Sequence, residues 1–282
     1  MKWSIPAKTF FLGEYAATQG APAILLTTMP CFEVSLTDTP YLDGIHHDSP
    51  AGRLWFKHGF QDKGLSWHDP YQGRGGLGAS SAQYLGAWLA ILAIENKKTS
   101  QEALLETYFQ TAWQGVGIRP SGYDVLAQSR QRCVYINHQQ ADYQIWDWPF
   151  HDLAFILIHS GQKLATHHHL QSLALPYDIK MLEKIVLSAK HAFESADSSS
   201  LIDAVNAYHE SLLQFNLVAA LSRQHIERLQ ILPDVLAIKG CGALGADVLL
   251  MLVPAERLAA QCDRLKTLEF DILATSQNLF RG

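Results

Sequence analysis

Four of the six residues from 73 to 78 are glycine, in the stretch Gly73-Arg74-Gly75-Gly76-Leu77-Gly78-Ala79-Ser80-Ser81-Ala82. A backbone so free of Cβ atoms can turn tightly, lie close against another group and aim successive N–H groups into one concavity. The residues that follow, Ser81 to Ile94, are rich in Ala, Leu, Ile and Trp and predict a helix of about four turns. The loop therefore empties into a helix N-terminus, where unsatisfied N–H groups and the helix dipole favour a phosphate. Ser80 stands at the boundary, placed either to cap the helix or to offer its hydroxyl to a phosphate-bound Mg²⁺. No Lys follows the last glycine, so the loop is not a Walker A. Nor is it a G-x-G-x-x-G after an obvious strand, which argues against a dinucleotide fold. A plain turn stays open at this point.

The chain has 282 residues, enough for one large or two medium domains. At 48% hydrophobic and 17% charged it reads as globular rather than disordered. A net charge of −5 gives no support to nucleic-acid or anionic-membrane binding. The sequence has no apolar run of about 18 residues and no secretory pattern at its start, so a cytoplasmic location is expected. Cys31, Cys133, Cys241 and Cys262 are widely spaced and predict buried free thiols. The adjacent histidines His46-His47 and His167-His168-His169 should point in different directions, as solvated surface.

In chain order, residues 3–12 and 23–28 predict two strands of a hairpin. Lys8 and Glu14 are the charges inside this apolar block, so they must meet each other or find other partners. Residues 36–72 are rich in turn formers, with a short strand expected at 53–57 and nothing catalytic in view. A helix over 101–113 leads into Gln114-Gly115-Val116-Gly117-Ile118-Arg119-Pro120-Ser121-Gly122-Tyr123-Asp124. Asp124 sits where this loop gives way to a regular element. From there its carboxylate can face a cleft, or serve only a helix N-terminus. Arg119 can pair with it or bind a substrate anion. Residues 132–136 and 144–148 predict a hairpin, and a domain boundary is expected between 150 and 151. Beyond it come a buried strand at 153–159, helices over 178–194 and 201–229, and a hairpin spanning 235–253. The tip of that hairpin, Gly240-Cys241-Gly242-Ala243-Leu244-Gly245-Ala246, carries little side chain. A helix over 255–266 and a strand near 270–274 close the pattern.

Three small-residue stretches in this order resemble the GHMP kinases over the whole chain. The first is Pro6-Ala7-Lys8-Thr9-Phe10-Phe11-Leu12-Gly13-Glu14-Tyr15-Ala16, the second Gly76-Leu77-Gly78-Ala79-Ser80-Ser81-Ala82, and the third Lys239-Gly240-Cys241-Gly242-Ala243-Leu244-Gly245-Ala246-Asp247. The resemblance implies an α+β fold of two domains. Residues 1–150 would be ribosomal-S5-like and carry ATP-phosphate binding and catalysis, and residues 151–282 would be ferredoxin-like, with the active site between. It implies that Gly75, Gly76, Leu77, Gly78, Ala79, Ser80 and Ser81 wrap the ATP phosphates, with Ser80 approaching Mg²⁺. Asp124 would accept or orient the substrate hydroxyl proton, and the charge of Lys8 would steady the transferring phosphoryl. Glu14, Tyr15, Arg119, Ser121, Gly122, Lys239, Gly242 and Ala243 would meet the small-molecule substrate.

Gly13-Glu14-Tyr15-Ala16, Ser121-Gly122-Tyr123-Asp124-Val125 and Ser160-Gly161-Gln162-Lys163-Leu164-Ala165-Thr166 lean toward the mevalonate branch, phosphomevalonate kinase before mevalonate kinase. Another GHMP kinase for a small alcohol, and a silent metabolite-binding homologue, are the alternatives. A phosphorylated substrate needs cations, for which Arg74, Arg119, Lys163 and Lys239 are candidates. Ala7, Ala79, Leu244 and Ala246 stand where the family usually has Gly or Ser. No nucleic-acid or membrane partner is expected, and the chain would be a monomer or homodimer.

Overall fold

The computed structural model describes residues 1–98, 100–161 and 179–282. Its first half is built on a mixed sheet. Strand β1 (Lys2–Leu12) pairs antiparallel along β2 (Ala23–Thr37). On its other side β2 meets β5 (Cys133–Asn137) with its first residues and β4 (Gly64–His68) with its last. Strands β3 (Leu42–Asp43) and β6 (Asp142–Trp146) extend the two ends. Four helices belong with this sheet: α1 (Pro50–His58), α2 (Ala79–Ile94), α3 (Gln101–Ala112) and α4 (Tyr123–Arg130).

The second half has a four-stranded antiparallel sheet in the order β10-β7-β9-β8, from β7 (Leu153–His159), β8 (Ala237–Cys241), β9 (Val248–Pro254) and β10 (Ile272–Thr275). Helices α5 (Ile179–Ser195), α6 (Ser198–Gln214), α7 (Ala220–Leu229) and α8 (Leu258–Thr267) complete it. The fold class is α+β.

The expected elements are largely present; strands β3 and β4 lie where none was expected, and three expected elements differ. Residues 53–57 lie in helix α1. Ser49 accepts the Gly52 N–H at 3.1 Å and Pro50 fills the first helical position, a start signal that outweighs the β-like Trp-Phe pair. The helix expected over 201–229 is two helices, because Asn216 takes a left-handed φ of 55° after Phe215. Strand β2 runs on to Thr37, as Phe32 and Val34 keep facing the core. All four cysteines are free; Cys133 and Cys241 are buried and Cys31 and Cys262 only partly so. His46 and His47 do not point apart: their rings stack with centroids 4.5 Å apart, in an irregular turn to which strand geometry does not apply. Both are exposed, and with Asp48 they are a group of possible metal ligands whose donor atoms lie within 4.8 Å. His167, His168 and His169 lie outside the described residues.

Helix α2 is apolar around most of its circumference and sits deep in the molecule, with Tyr84, Ala87 and Ala90 fully buried. Gly86 makes the approach possible: a Cβ there would lie 2.3 Å from Val34 Cγ2 on β2. The halves share one core. Phe193 of α5 packs edge-on to Phe11 of β1 at 5.8 Å and to Phe150 at 5.1 Å, and stacks on Trp146 of β6 at 5.2 Å. Truncation by Phe193→Ala should cost about 3–5 kcal/mol in urea unfolding, because this ring has no close substitute in the cluster.

Candidate active site

Strand β1 and helix α4 deliver the central pair. Lys8 Nζ lies 2.9 Å from Asp124 Oδ1, the lysine side chain 9% exposed and the aspartate 35%. A buried ammonium needs such a partner, while the more open carboxylate can still reach a ligand. Asp124 is in the first turn of α4, next to Gly122, whose φ of 76° turns the chain into the helix.

The glycine loop closes against the same pair. The Lys8 N–H donates to Leu77 O at 2.9 Å. Gly76 and Gly78 have φ of 78° and 81°, and a Cβ on Gly78 would lie 2.7 Å from Lys8 Cγ. On its other flank the loop touches the third glycine-rich stretch: a Cβ on Gly75 would fall 2.5 Å from Asp247 Oδ1. Helix α2 then begins with Gly78 as its cap and no side-chain cap, so its first N–H groups are left to a ligand or water. Ser80 therefore does not cap the helix; it is exposed in the first turn. The Ser81 hydroxyl donates back to Gly78 O at 3.0 Å.

These elements enclose a cavity of about 890 Å³. Lys8, Asp124, the whole run Gly75–Ser81, Glu14, Tyr15, Arg119, Ser121, Gly122 and Gly242 line it. Sequence reasoning missed several wall residues, among them Asp48, Pro50 and Arg53 at the start of α1 and Thr111 to Gln114 at the end of α3. Arg53 donates to Thr111 O at 3.2 Å. Reading 53–57 as a strand hid it; the Ser49-Pro50 start signal could have found it. Asp247, noted in the third motif but not assigned to the site, also lines the cavity.

Lys239 is different. It is fully buried behind Glu14, off the cavity wall, with Nζ 2.9 Å from Glu14 Oε1 and 3.6 Å from Cys241 Sγ. This answers the question left by the two early charges: Lys8 meets Asp124, and Glu14 meets Lys239. Burial pushes the Glu14 carboxyl's pKa up, against the pull of the Lys239 ammonium. Arg74 lines the cavity and is paired with Asp271 at 2.9 Å. Arg119 lays its guanidinium 3.7 Å from the Phe109 ring centroid. Lys163 lies outside the described residues.

The third stretch gives the cavity Gly242 and Asp247. Gly240 and Gly245 pack backbone on backbone, and Ala243 opens the 3-10 turn Ala243–Gly245. Leu244 takes a left-handed φ of 55°, and its N–H donates to the Tyr15 hydroxyl at 2.7 Å. Ala246 is fully buried, with its carbonyl bonded by the Ser160 hydroxyl.

Two consequences are measurable. Lys239→Met leaves the Glu14 carboxylate buried without its counter-charge and should cost about 3–5 kcal/mol, most of which Glu14→Gln in the same chain should restore. The His209 imidazole, 7% exposed, is pushed down from 6.5 to about 4, by burial first and the Lys239 charge second. It stays neutral in the folded chain while the unfolded chain takes up a proton below 6.5. Stability should therefore fall by about 3 kcal/mol as pH drops from 6.5 to about 4. Urea unfolding at pH 7.5 and 4.5 should show most of this loss, and His209→Gln should remove it.

No protein-family model and no curated protein sequence matches the chain. Solved structures match over its whole length. The phosphomevalonate kinase of Streptococcus pneumoniae, in complex with phosphomevalonate and AMPPNP, superposes with a TM-score of 0.79 at 16% identity, covering 98% of this chain and 99% of that one. The mevalonate kinase of Methanococcus jannaschii gives 0.75 at 14%, covering 100% and 98%. The galactokinase of Lactococcus lactis, complexed with galactose, gives 0.72 at 13%, covering 96% and 92%. This likeness is one of architecture, and by it the chain has the GHMP kinase fold.

Proposed function

We propose that the protein transfers the γ-phosphoryl group of ATP to a hydroxyl of a small molecule. The observation that carries this reading is the Lys8–Asp124 pair, 2.9 Å apart, standing in one cavity with an uncapped helix N-terminus and a glycine loop. The loop and the first N–H groups of α2 suit a polyphosphate: they offer donors, four glycines keep much of the loop free of side chains, and the helix dipole adds a positive end. Asp124 takes the proton of the substrate hydroxyl as that oxygen attacks the γ-phosphorus, the bond to the β-phosphate oxygen breaks, and ADP leaves. Lys8 offsets charge on the phosphoryl group in flight.

Ser80, Asp124 and Asp247 are among the residues that line the cavity with side-chain oxygens, hard donors of the kind Mg²⁺ takes, and these residues would hold the ion. Mg²⁺ there would supply charge neutralisation on the phosphates. For the acceptor, phosphomevalonate is the leading reading and mevalonate the next. The sequence leaning described above supports it, together with the likeness to a kinase captured with phosphomevalonate. Arg53 and Arg119 are the arginines of the wall available to an anionic acceptor, each bonded here to a carbonyl or a ring rather than to a carboxylate.

ADP release from Mg·ATP, measured in parallel with mevalonate, 5-phosphomevalonate, homoserine and galactose, tests the proposal. Turnover of 5-phosphomevalonate alone supports the leading reading, and turnover of mevalonate alone replaces it with the second. Asp124→Asn should fold normally and lose at least about a hundredfold in kcat, as expected for removal of a general base. Turnover at the wild-type rate would remove Asp124 from the mechanism.

A further inference from the structure

Helix α4 carries a second polar side chain one turn after Asp124, on the same face. Gln128 is only 1% exposed, a costly place for a primary amide unless its hydrogens are used. Both are used. Nε2 donates to Pro6 O of β1 at 2.8 Å and to Gly78 O, at the cap of α2, at 3.1 Å. The two carbonyls dictate which way the amide faces, since its oxygen would be repelled by both. Oε1 is left buried with no partner, so the side chain is held for its donors at a cost.

The three backbones it joins are those of the candidate site. Pro6 lies two residues before Lys8, Gly78 closes the glycine loop, and Gln128 itself rides on the helix of Asp124. The fit is close: a Cβ on Gly78 would fall 3.0 Å from Gln128 Nε2 and 2.7 Å from Lys8 Cγ. We infer that Gln128 is a positioning residue for phosphoryl transfer, fixing the Lys8–Asp124 pair at a set distance from the loop that would hold the phosphates. The inference rests on the kinase reading above. Few other side chains meet the demand. Glu has the reach but only acceptors when ionised, Asn is shorter by a methylene, and Lys would set a second ammonium beside Lys8.

The test uses the full chain with three variants. Gln128→Met keeps the length and removes the donors. Gln128→Glu exchanges one atom, and serves should the first fail to fold. Tyr84→Phe is the control: it removes another buried hydrogen bond of the same half, to Leu104 O at 3.1 Å, from a side chain that does not line the cavity. Two quantities are read: kcat with saturating Mg·ATP and acceptor, and amide hydrogen exchange at Lys8, whose N–H is bonded to Leu77 O. Misplaced reacting groups should lower kcat about tenfold to a hundredfold in the Gln128 variants. Exchange at Lys8 should rise about tenfold or more in them as the junction opens locally. Tyr84→Phe should change neither by more than about twofold. Gln128 variants that match Tyr84→Phe in both readouts would overturn the inference. A wild-type protein that turns over no acceptor would overturn the kinase reading instead, and exchange at Lys8 would still decide whether Gln128 clamps the junction.

Discussion

The site depends on how closely β1, α2 and α4 approach one another. Gly78 is the point of contact: a methyl group there would overlap Lys8 from one side and press on Gln128 from the other. With hydrogen in that place, the lysine's strand can run directly beneath the loop that opens α2, and the Lys8 N–H can reach Leu77 O. Gly86, two turns further along α2, permits the same closeness against β2. A helix set even an ångström further out would separate Lys8 from the loop, and the charge pair would then face a cavity with no glycine loop beside it.

Charge is distributed in the same economical way. Two lysines in the centre of the molecule are each spent on one carboxylate, Lys8 on Asp124 and Lys239 on Glu14, but the pairs differ in exposure. The Lys239–Glu14 pair is almost wholly removed from water, at 0% and 3% exposure, and belongs to the packing that joins β8 to the turn after β1. The Lys8–Asp124 pair leaves its carboxylate 35% exposed. Only the second can exchange its partner for a ligand without burying an uncompensated charge. Identical chemistry is thus sealed from water at one site and left open to a ligand at the other, and the burial of the acid separates them.

Much of this was legible in the sequence because it is local. Glycine spacing marked the loop, apolar composition marked α2, and Ser121-Gly122 ahead of Asp124 marked a turn into a regular element, which is helix α4. Most strands followed from runs of β-branched and aromatic residues, and the α+β class from the resemblance of the three motifs to the GHMP kinases. What was not legible is pairwise and distant. Composition and spacing at residues 8, 14, 124 and 239 do not say which lysine meets which acid, because the register of β1 on β2 and the seating of β8 decide it; the motif resemblance alone set Lys8 near Asp124, and it did not pair Glu14 with Lys239. Arg53 was lost through a local error, in which Trp55-Phe56 suggested a strand while Ser49-Pro50 had already begun a helix. Gln128 was invisible for another reason: its meaning lies in two carbonyls, 122 and 50 residues away in sequence.

The third glycine-rich stretch shows how a small-residue loop can keep its shape with larger residues in it. Leu244 occupies a left-handed conformation that disfavours a branched side chain, yet its N–H is tied to the Tyr15 hydroxyl and its carbonyl accepts from the Ala219 N–H. Ala246 is buried, and its carbonyl is bonded by Ser160. Ala246 lies where the loop meets its own half of the molecule and Leu244 is tied to both halves, through Tyr15 and Ala219, whereas Gly242, with φ of 81° and no neighbour within 4 Å of a built Cβ, lines the cavity. The two larger residues are thus held by packing and hydrogen bonds, while the position that lines the cavity is glycine.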